Sequence, residues 1–196
     1  AQFCSPNLAA SAQNTKFTGI PAPAEWRLSD NASYVHVCTN ETIDGVEYHT
    51  LPDLKALGSN APLVIDFSSH VASRSVDWSK VGLAFGGAQK NLGPAGATLV
   101  IVRKDALGKS GRYIPTMLKY KTHIDKGSMF NTPPVFSVYV SMLTLRWLKE
   151  NGGVAAIEAR NTAKAALLYN EIDRNPLFVG TAAVEDRSTM NACFLL

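Results

Sequence analysis

The chain has 196 residues, 46% hydrophobic and 18% charged, with 14 Gly and 10 Pro; this is the make-up of a globular protein with a buried core and excludes a disordered, collagenous or coiled-coil chain. Nineteen Lys and Arg against 16 Asp and Glu leave a net charge of +3, too small to hold nucleic acid or an anionic membrane by bulk electrostatics, so any anion site has to be local. Three cysteines without zinc-site or disulfide spacing, Cys4, Cys38 and Cys193, and no membrane-length apolar run or basic leader predict a reducing, cytoplasmic location.

Residues up to about Asp30 are rich in Ala, Ser, Asn and Pro and predict a meander. Tyr34 to Cys38 alternates among β-formers and predicts a strand, and the polar run from Thr39 ends on the turn signal Asp44-Gly45. Leu63 to Phe67 predicts a short buried strand that carries an acid, Asp66, near its C-terminal end. Gly82 to Phe85 predicts a strand that runs into the small-residue loop Gly86 to Gly96, and Ala97 to Val102 predicts the clearest strand of the chain. The pattern then turns helical. Asn131-Thr132 followed by Pro133-Pro134 carries the residues of a helix start, with capping side chains and Pro in the first turn. Phe136, Tyr139, Val140, Leu143 and Trp147 recur at helical spacing and predict a core-facing stripe. Asn151-Gly152-Gly153 ends that helix; a second is expected from about Val154 to Asp173, leading through Asn175-Pro176 to an apolar strand over Met190 to Leu196. A first residue that is not Met and a last strand without a polar cap predict an internal segment of a longer protein. Strands, then long helices, then a new strand read as an α/β chain, with a large domain over residues 1–150 and the beginning of a small one over 151–196.

Asp66 and Lys90 carry the most chemistry. A carboxylate at the end of a buried strand is costly unless something cationic or protonated meets it; the plainer reading is an acid that caps a neighbouring loop. Lys90 sits among Gly86, Gly87, Ala88 and Gly93, where a planar ligand can approach the backbone and an amine can serve as a Schiff-base nucleophile; the plainer reading is a solvated loop lysine. Pyridoxal phosphate needs such parts: a lysine for C4′, an acid that keeps the ring nitrogen protonated, and an anion site for the phosphate. Asn131 and Thr132 at a helix start supply the anion-site candidate, with plain capping as the competing explanation. Gly86 to Lys90 is not a P-loop, since Gln89 stands where Gly must precede Lys and Asn91 where Ser or Thr must follow it. The dispersed His36, His49, His70 and His123 predict no metal site, and seven Lys or Arg against two Asp between Arg103 and Lys126 predict a solvated face.

Four strings, Cys38-Thr-Asn-Glu-Thr-Ile-Asp-Gly45, Asp66-Phe-Ser-Ser69, Gly87-Ala-Gln-Lys-Asn-Leu-Gly-Pro-Ala-Gly96 and Gly127-Ser-Met-Phe-Asn-Thr-Pro-Pro134, resemble the phosphoserine aminotransferases, a branch of the class V pyridoxal-phosphate-dependent aminotransferases. The resemblance implies a fold-type I transferase: an α/β/α large domain with a mostly parallel sheet, the start of a small α+β domain, and a homodimer. It implies amino-group transfer between O-phosphoserine and 2-oxoglutarate, with glutamate and 3-phosphohydroxypyruvate as the other pair, in serine biosynthesis, and in bacteria a second use in pyridoxine synthesis through 4-phosphohydroxythreonine. By the same resemblance Lys90 would bond the cofactor and move the proton between Cα and C4′, and Asp66 would pair with the ring nitrogen. Gln89 would touch the cofactor, Thr42 would lie by its 3′-oxygen, and Asn131 with Thr132 would bind its phosphate across the dimer interface. Family members run further in both directions, so the stacking aromatic ring, a phosphate loop and the groups that read the substrate are expected outside this stretch. Two rival readings are another class V enzyme, such as a serine–glyoxylate aminotransferase or a cysteine desulfurase, and a dimerising fragment without cofactor. Gln89 stands where desulfurases place His and argues against the desulfurase.

Overall fold

The structure is a computed structural model that describes residues 5–196, so Cys4 lies outside the described residues. The lead to about Asp30 contains two single 3-10 turns, Gln13–Thr15 and Pro23–Glu25, in keeping with its weak periodicity. Strand β1 is Val35–Cys38; β2 (Asn40–Glu41) and β3 (Val46–Glu47) form a short antiparallel ladder joined by the Asp44-Gly45 turn; β4 is Leu63–Asp66, β5 Val81–Gly87 and β6 Thr98–Val102. The main sheet runs β1-β4-β5-β6, with β1, β4 and β5 parallel and β6 antiparallel.

The alternation that predicts the strands is the alternation that buries them. Leu63 and Ile65 of β4 are fully buried and pack with Val35 and Val37 of β1, Val81 and Ala84 of β5, and Phe67, Val71 and Leu92 from the loops. Each large apolar side chain removed from water contributes about 2 kcal/mol, so this cluster sets the register. Cys38 pairs with Asp66 and Asp66 with Phe85. The three parallel strands therefore end side by side, and the loops that leave them carry Thr42, Ser68, Gln89 and Lys90 from one edge. In open α/β sheets this C-terminal edge is where ligands bind.

Helix α1 is Tyr120–Asp125, α2 Val135–Glu150 and α3 Gly153–Arg174. Two expectations change at α2. It begins at Val135 with Pro134 as its cap residue and no side-chain cap, so Asn131 and Thr132 stand outside it; a residue before proline is pushed away from helical backbone, and two successive prolines delay the start. The apolar stripe is also not core: Phe136, Tyr139, Leu143 and Trp147 are exposed, and the buried residue of α2 is Ser137. Ser137 Oγ donates to Ala95 O at 2.6 Å, and a Cβ on Gly96 or Gly93 would lie 2.7 Å from Ser137 Oγ or 3.0 Å from Ser141 Oγ. The helix thus packs on the glycine loop by its small polar face, because that loop lets backbone and helix come close.

Gly152, with φ +92°, turns the chain between α2 and α3. Ile157 and Ile172 of α3 are buried, while Leu168 is exposed. The predicted last strand shrinks to β8, Phe194–Leu195, paired antiparallel with β7, Val179–Gly180. Asn191, within the predicted stretch, turns its side chain to Asn40 instead. Among the described residues no helix is long and apolar enough to cross a membrane.

Candidate active site

Lys90 is placed by the turn that leaves β5. Gly93 N donates to Ala88 O at 2.7 Å, Ala88 N to Ala97 O at 2.9 Å and Asn91 Nδ2 to Val71 O at 2.7 Å, which anchors the loop on both flanks of the lysine. A Cβ on Gly86 would press on the Phe67 ring at 3.1 Å, and one on Gly87 would overlap the Gln89 side chain. Gly86 is therefore confined by the Phe67 ring, whereas the crowding at Gly87 comes from the flexible end of Gln89. Lys90 Nζ donates to Thr42 Oγ1 at 2.6 Å across 48 residues of sequence, so the structure brings together the lysine and the threonine of two separate strings.

Asp66 is half-buried at the end of β4, and its Oδ1 accepts both Ser68 N at 2.9 Å and Ser68 Oγ at 2.6 Å. Ser68 Oγ in turn accepts Gly87 N at 3.0 Å, which ties the ends of β4 and β5 together. Among the described residues no donor reaches Oδ2, so a carboxylate at the sheet edge keeps an oxygen for a ligand. That geometry fits a cofactor with a protonated ring nitrogen: the acid is held rigidly, its partner is not supplied by the chain, and the lysine stands in a loop cleared of side chains. Gln89 is exposed beside Lys90, its side chain against Gly87.

Asn131 and Thr132 are not joined to this edge. Both are exposed, Asn131 Nδ2 meets Met117 Sδ at 3.6 Å, and no hydrogen bond links either to Thr42, Asp66, Gln89 or Lys90.

A buried polar layer supports the edge, and sequence reasoning did not find it. Thr39 Oγ1 donates to Asp66 O at 2.9 Å; having one hydroxyl hydrogen, it must accept from His70 Nε2, which lies at 2.5 Å. His70 is thus the Nε2–H tautomer, and its Nδ1 is buried without a partner. Burial first, and the Arg74 charge next, lower the His70 pKa to about 4. Glu47 is fully buried; burial alone would raise its carboxyl, but the Thr189 N–H and hydroxyl and the Arg74 guanidinium outweigh this and hold it below the ordinary value. Arg74 Nε donates to Glu47 Oε1 at 2.8 Å, and Thr189 N and Oγ1 donate to Oε2 at 2.8 and 2.9 Å. Burial, and after it the Glu41 charge, push the Cys38 thiol up to about 12, so it is not a nucleophile at neutral pH. None of these residues has a local signal; of the groups around Asp66, only Ser68 does, a serine two positions after a strand-end acid.

A mostly parallel sheet with a lysine loop and an acid at its C-terminal edge is the core of the fold-type I transferases, and residues 7–195 match the family described as Aminotransferase class-V; the chain belongs to that family. Several of the proteins it is similar to are phosphoserine aminotransferases. The chain is 59% identical over 195 residues to the phosphoserine aminotransferase of Albidiferax ferrireducens, an alignment that covers 100% of this chain and 53% of the relative. It superposes with a TM-score of 0.90 and 40% identity on phosphoserine aminotransferase from Bacillus circulans subsp. alkalophilus, covering 97% of this chain and 52% of that one. The pyridoxal-phosphate-bound phosphoserine aminotransferase of Trichomonas vaginalis is similar at TM-score 0.85 and 42% identity, over 91% of this chain and 51% of that one. The chain spans about half the length of the relatives it matches.

Proposed function

We propose that this chain is the cofactor-holding portion of a phosphoserine aminotransferase, which exchanges an amino group between O-phosphoserine and 2-oxoglutarate, with glutamate and 3-phosphohydroxypyruvate as the other pair. The observation that carries the reading is the Lys90 Nζ–Thr42 Oγ1 bond of 2.6 Å at the edge where Asp66 keeps one oxygen unpartnered. Pyridoxal phosphate, when bound, supplies an electron sink for the charge that develops at the substrate Cα. Lys90 is the residue that bonds it and that holds and moves a proton at Nζ. Asp66, with Ser68 occupying Oδ1, offers Oδ2 to a protonated ring nitrogen; the charge-assisted bond keeps that proton in place. Thr42 fixes the amine and would face the 3′-oxygen of the cofactor, and Gln89 walls the loop against Gly87.

Asn131 and Thr132, with the free N–H groups that open α2, take the cofactor phosphate of a second subunit. Their exposure supports this, as does the apolar surface around them: Val135 is 68% and Phe136 71% exposed, values that fit residues covered by further protein. We assign residues 1–150 to the large domain and 151–196 to the start of the small one, and place the enzyme in the cytoplasm, in line with the unpaired Cys38 and Cys193.

The test is spectroscopic and then kinetic. Holoenzyme should show the visible absorbance of lysine-bound pyridoxal phosphate, and Lys90→Ala should lose it; wild-type protein saturated with the cofactor and lacking that band would sink the reading. Phosphoserine should outpace alanine and cysteine as amino donor, and the reverse order would mean another class V enzyme.

A further inference from the structure

We infer that Asn191 is a positioning residue for this site: by gripping the Glu41–Gly45 loop it sets Thr42 Oγ1 against Lys90 Nζ. The inference rests on the reading of Lys90 given above and adds a group from the far end of the chain.

The loop has little hold of its own. Thr42 and Ile43 are exposed, and its internal bond is Gly45 N to Glu41 O at 3.0 Å. Its five successive carbonyls are instead taken by residues 181–193. Asn191 Nδ2 donates to Glu41 O at 3.2 Å and Thr42 O at 2.9 Å, Cys193 Sγ to Ile43 O at 3.2 Å, Thr181 Oγ1 to Asp44 O at 3.4 Å, and Ser188 N to Gly45 O at 2.8 Å. Gly45 has φ +71°, and a Cβ there would lie 3.0 Å from Cys193 Sγ and 3.1 Å from Asn191 O, so the turn needs glycine both for its backbone and for this approach.

Asn191 differs from the other three residues in being fully determined. While Nδ2 donates twice, Oδ1 accepts Asn40 Nδ2 at 2.8 Å and Ser188 Oγ at 2.9 Å. A flipped amide would set its oxygen against the Glu41 and Thr42 carbonyls and an N–H against Asn40 Nδ2, so one orientation survives. Asn40 also donates to Ser69 Oγ at 2.8 Å, and Ser69 follows the Asp66-Phe67-Ser68 run that fixes the acid. The same amide therefore braces the threonine loop against the element that carries Asp66. Two exposed side chains such as Lys90 and Thr42 would otherwise gain little from meeting; a backbone held at its carbonyl makes the contact a fixed one.

The experiment is a double-mutant cycle in the full-length holoenzyme with Asn191→Ala, Thr42→Val and both together, and Lys90→Ala as control. The readouts are the dissociation constant for pyridoxal phosphate and the pH midpoint of its visible absorbance. Each single variant should weaken cofactor binding about five-fold and move the midpoint in the same direction, and the double variant should be no worse than Thr42→Val alone. Additive effects, or a midpoint that Thr42→Val moves and Asn191→Ala does not, would overturn the positioning role. Should Asn191→Ala fail to fold, Cys193→Ala releases one carbonyl of the same loop and should give a smaller shift in the same direction; no shift would count against the grip. If Lys90→Ala keeps the visible band, the reading of the lysine falls; if the band goes and the cycle is additive, the inference about Asn191 falls alone.

Discussion

At the C-terminal edge of β1, β4 and β5 the candidate side chains are held from within the chain: Lys90 by Thr42, Asp66 by Ser68, the Thr42 loop by residues 181–193. Before α2, Asn131 and Thr132 have almost nothing, a sulfur contact for one and solvent for both, next to uncovered apolar rings. Under the proposed assignment, the difference separates two ways of building one site. Groups that must be held to within a fraction of an ångström during chemistry are preorganised by their own fold. Groups that only receive a ligand's anionic end can wait for a second surface to bring the ligand to them.

The sharpest way to break the first half of this comparison is Lys90→Ala. It should abolish the visible band of the bound cofactor and lower amino transfer by at least about 10³-fold, the scale of a lost acid–base group. Folding should be intact, since Lys90 is exposed and its loop is anchored by Asn91 and Ala88. Retained transfer near the wild-type rate would show that the edge is not where the chemistry occurs.

The layer that supports the edge should yield next. Glu47→Ala removes a fully buried carboxylate and strands Arg74 and the Thr189 donors. Breaking such a pair costs about 3 kcal/mol, readable as a lower denaturant midpoint with an unchanged slope. His70 gives a pH signature. Its folded pKa of about 4 lies below the ordinary 6.5, so between these values the unfolded chain binds more protons than the folded one and stability falls as the solution is acidified. The loss should reach about 2 kcal/mol by pH 5. Glu47, held below its ordinary 4.5, keeps its contribution above that value and loses it only at lower pH, which leaves the window from 4.5 to 6.5 to the histidine. His70→Gln should flatten the profile there, and an equally steep one would remove His70 from the account.

These two regions were also unequally legible in the sequence. β4, β5, β6 and α3 follow from periodicity, and the strand-end acid and glycine-flanked lysine follow from the residues on either side of them. The support beneath them does not, because Thr39 meets His70 31 residues away and Asn40 meets Asn191 151 residues away, with no repeating pattern to announce either. At α2 the composition misleads in the other direction. Apolar spacing identifies a face that needs covering but not what covers it, and Phe136 and Trp147 read as core while they stand exposed. Asn131 and Thr132 carry cap-forming side chains, yet Pro133 and Pro134 push the helix start past them.

The second half of the comparison rests on what those two residues do when two subunits meet. Asn131→Ala with Thr132→Ala should leave each subunit's own Lys90 edge intact, because no hydrogen bond links the two places, and weaken cofactor binding about tenfold by removing two donors to an anion. If the phosphate is held from the partner, subunits with these changes and subunits with Lys90→Ala fail for different reasons and repair each other when mixed. Random pairing makes half of the dimers mixed, and each mixed dimer then joins one intact lysine edge to one intact Asn131-Thr132 start. At a cofactor concentration too low to load dimers carrying only the Asn131 and Thr132 changes, about a quarter of the wild-type sites should return. Recovery of both cofactor absorbance and transfer to that level would place the two regions on opposite sides of an interface. No recovery in dimers shown to have exchanged subunits would put the phosphate elsewhere and leave the exposed start of α2 without this role.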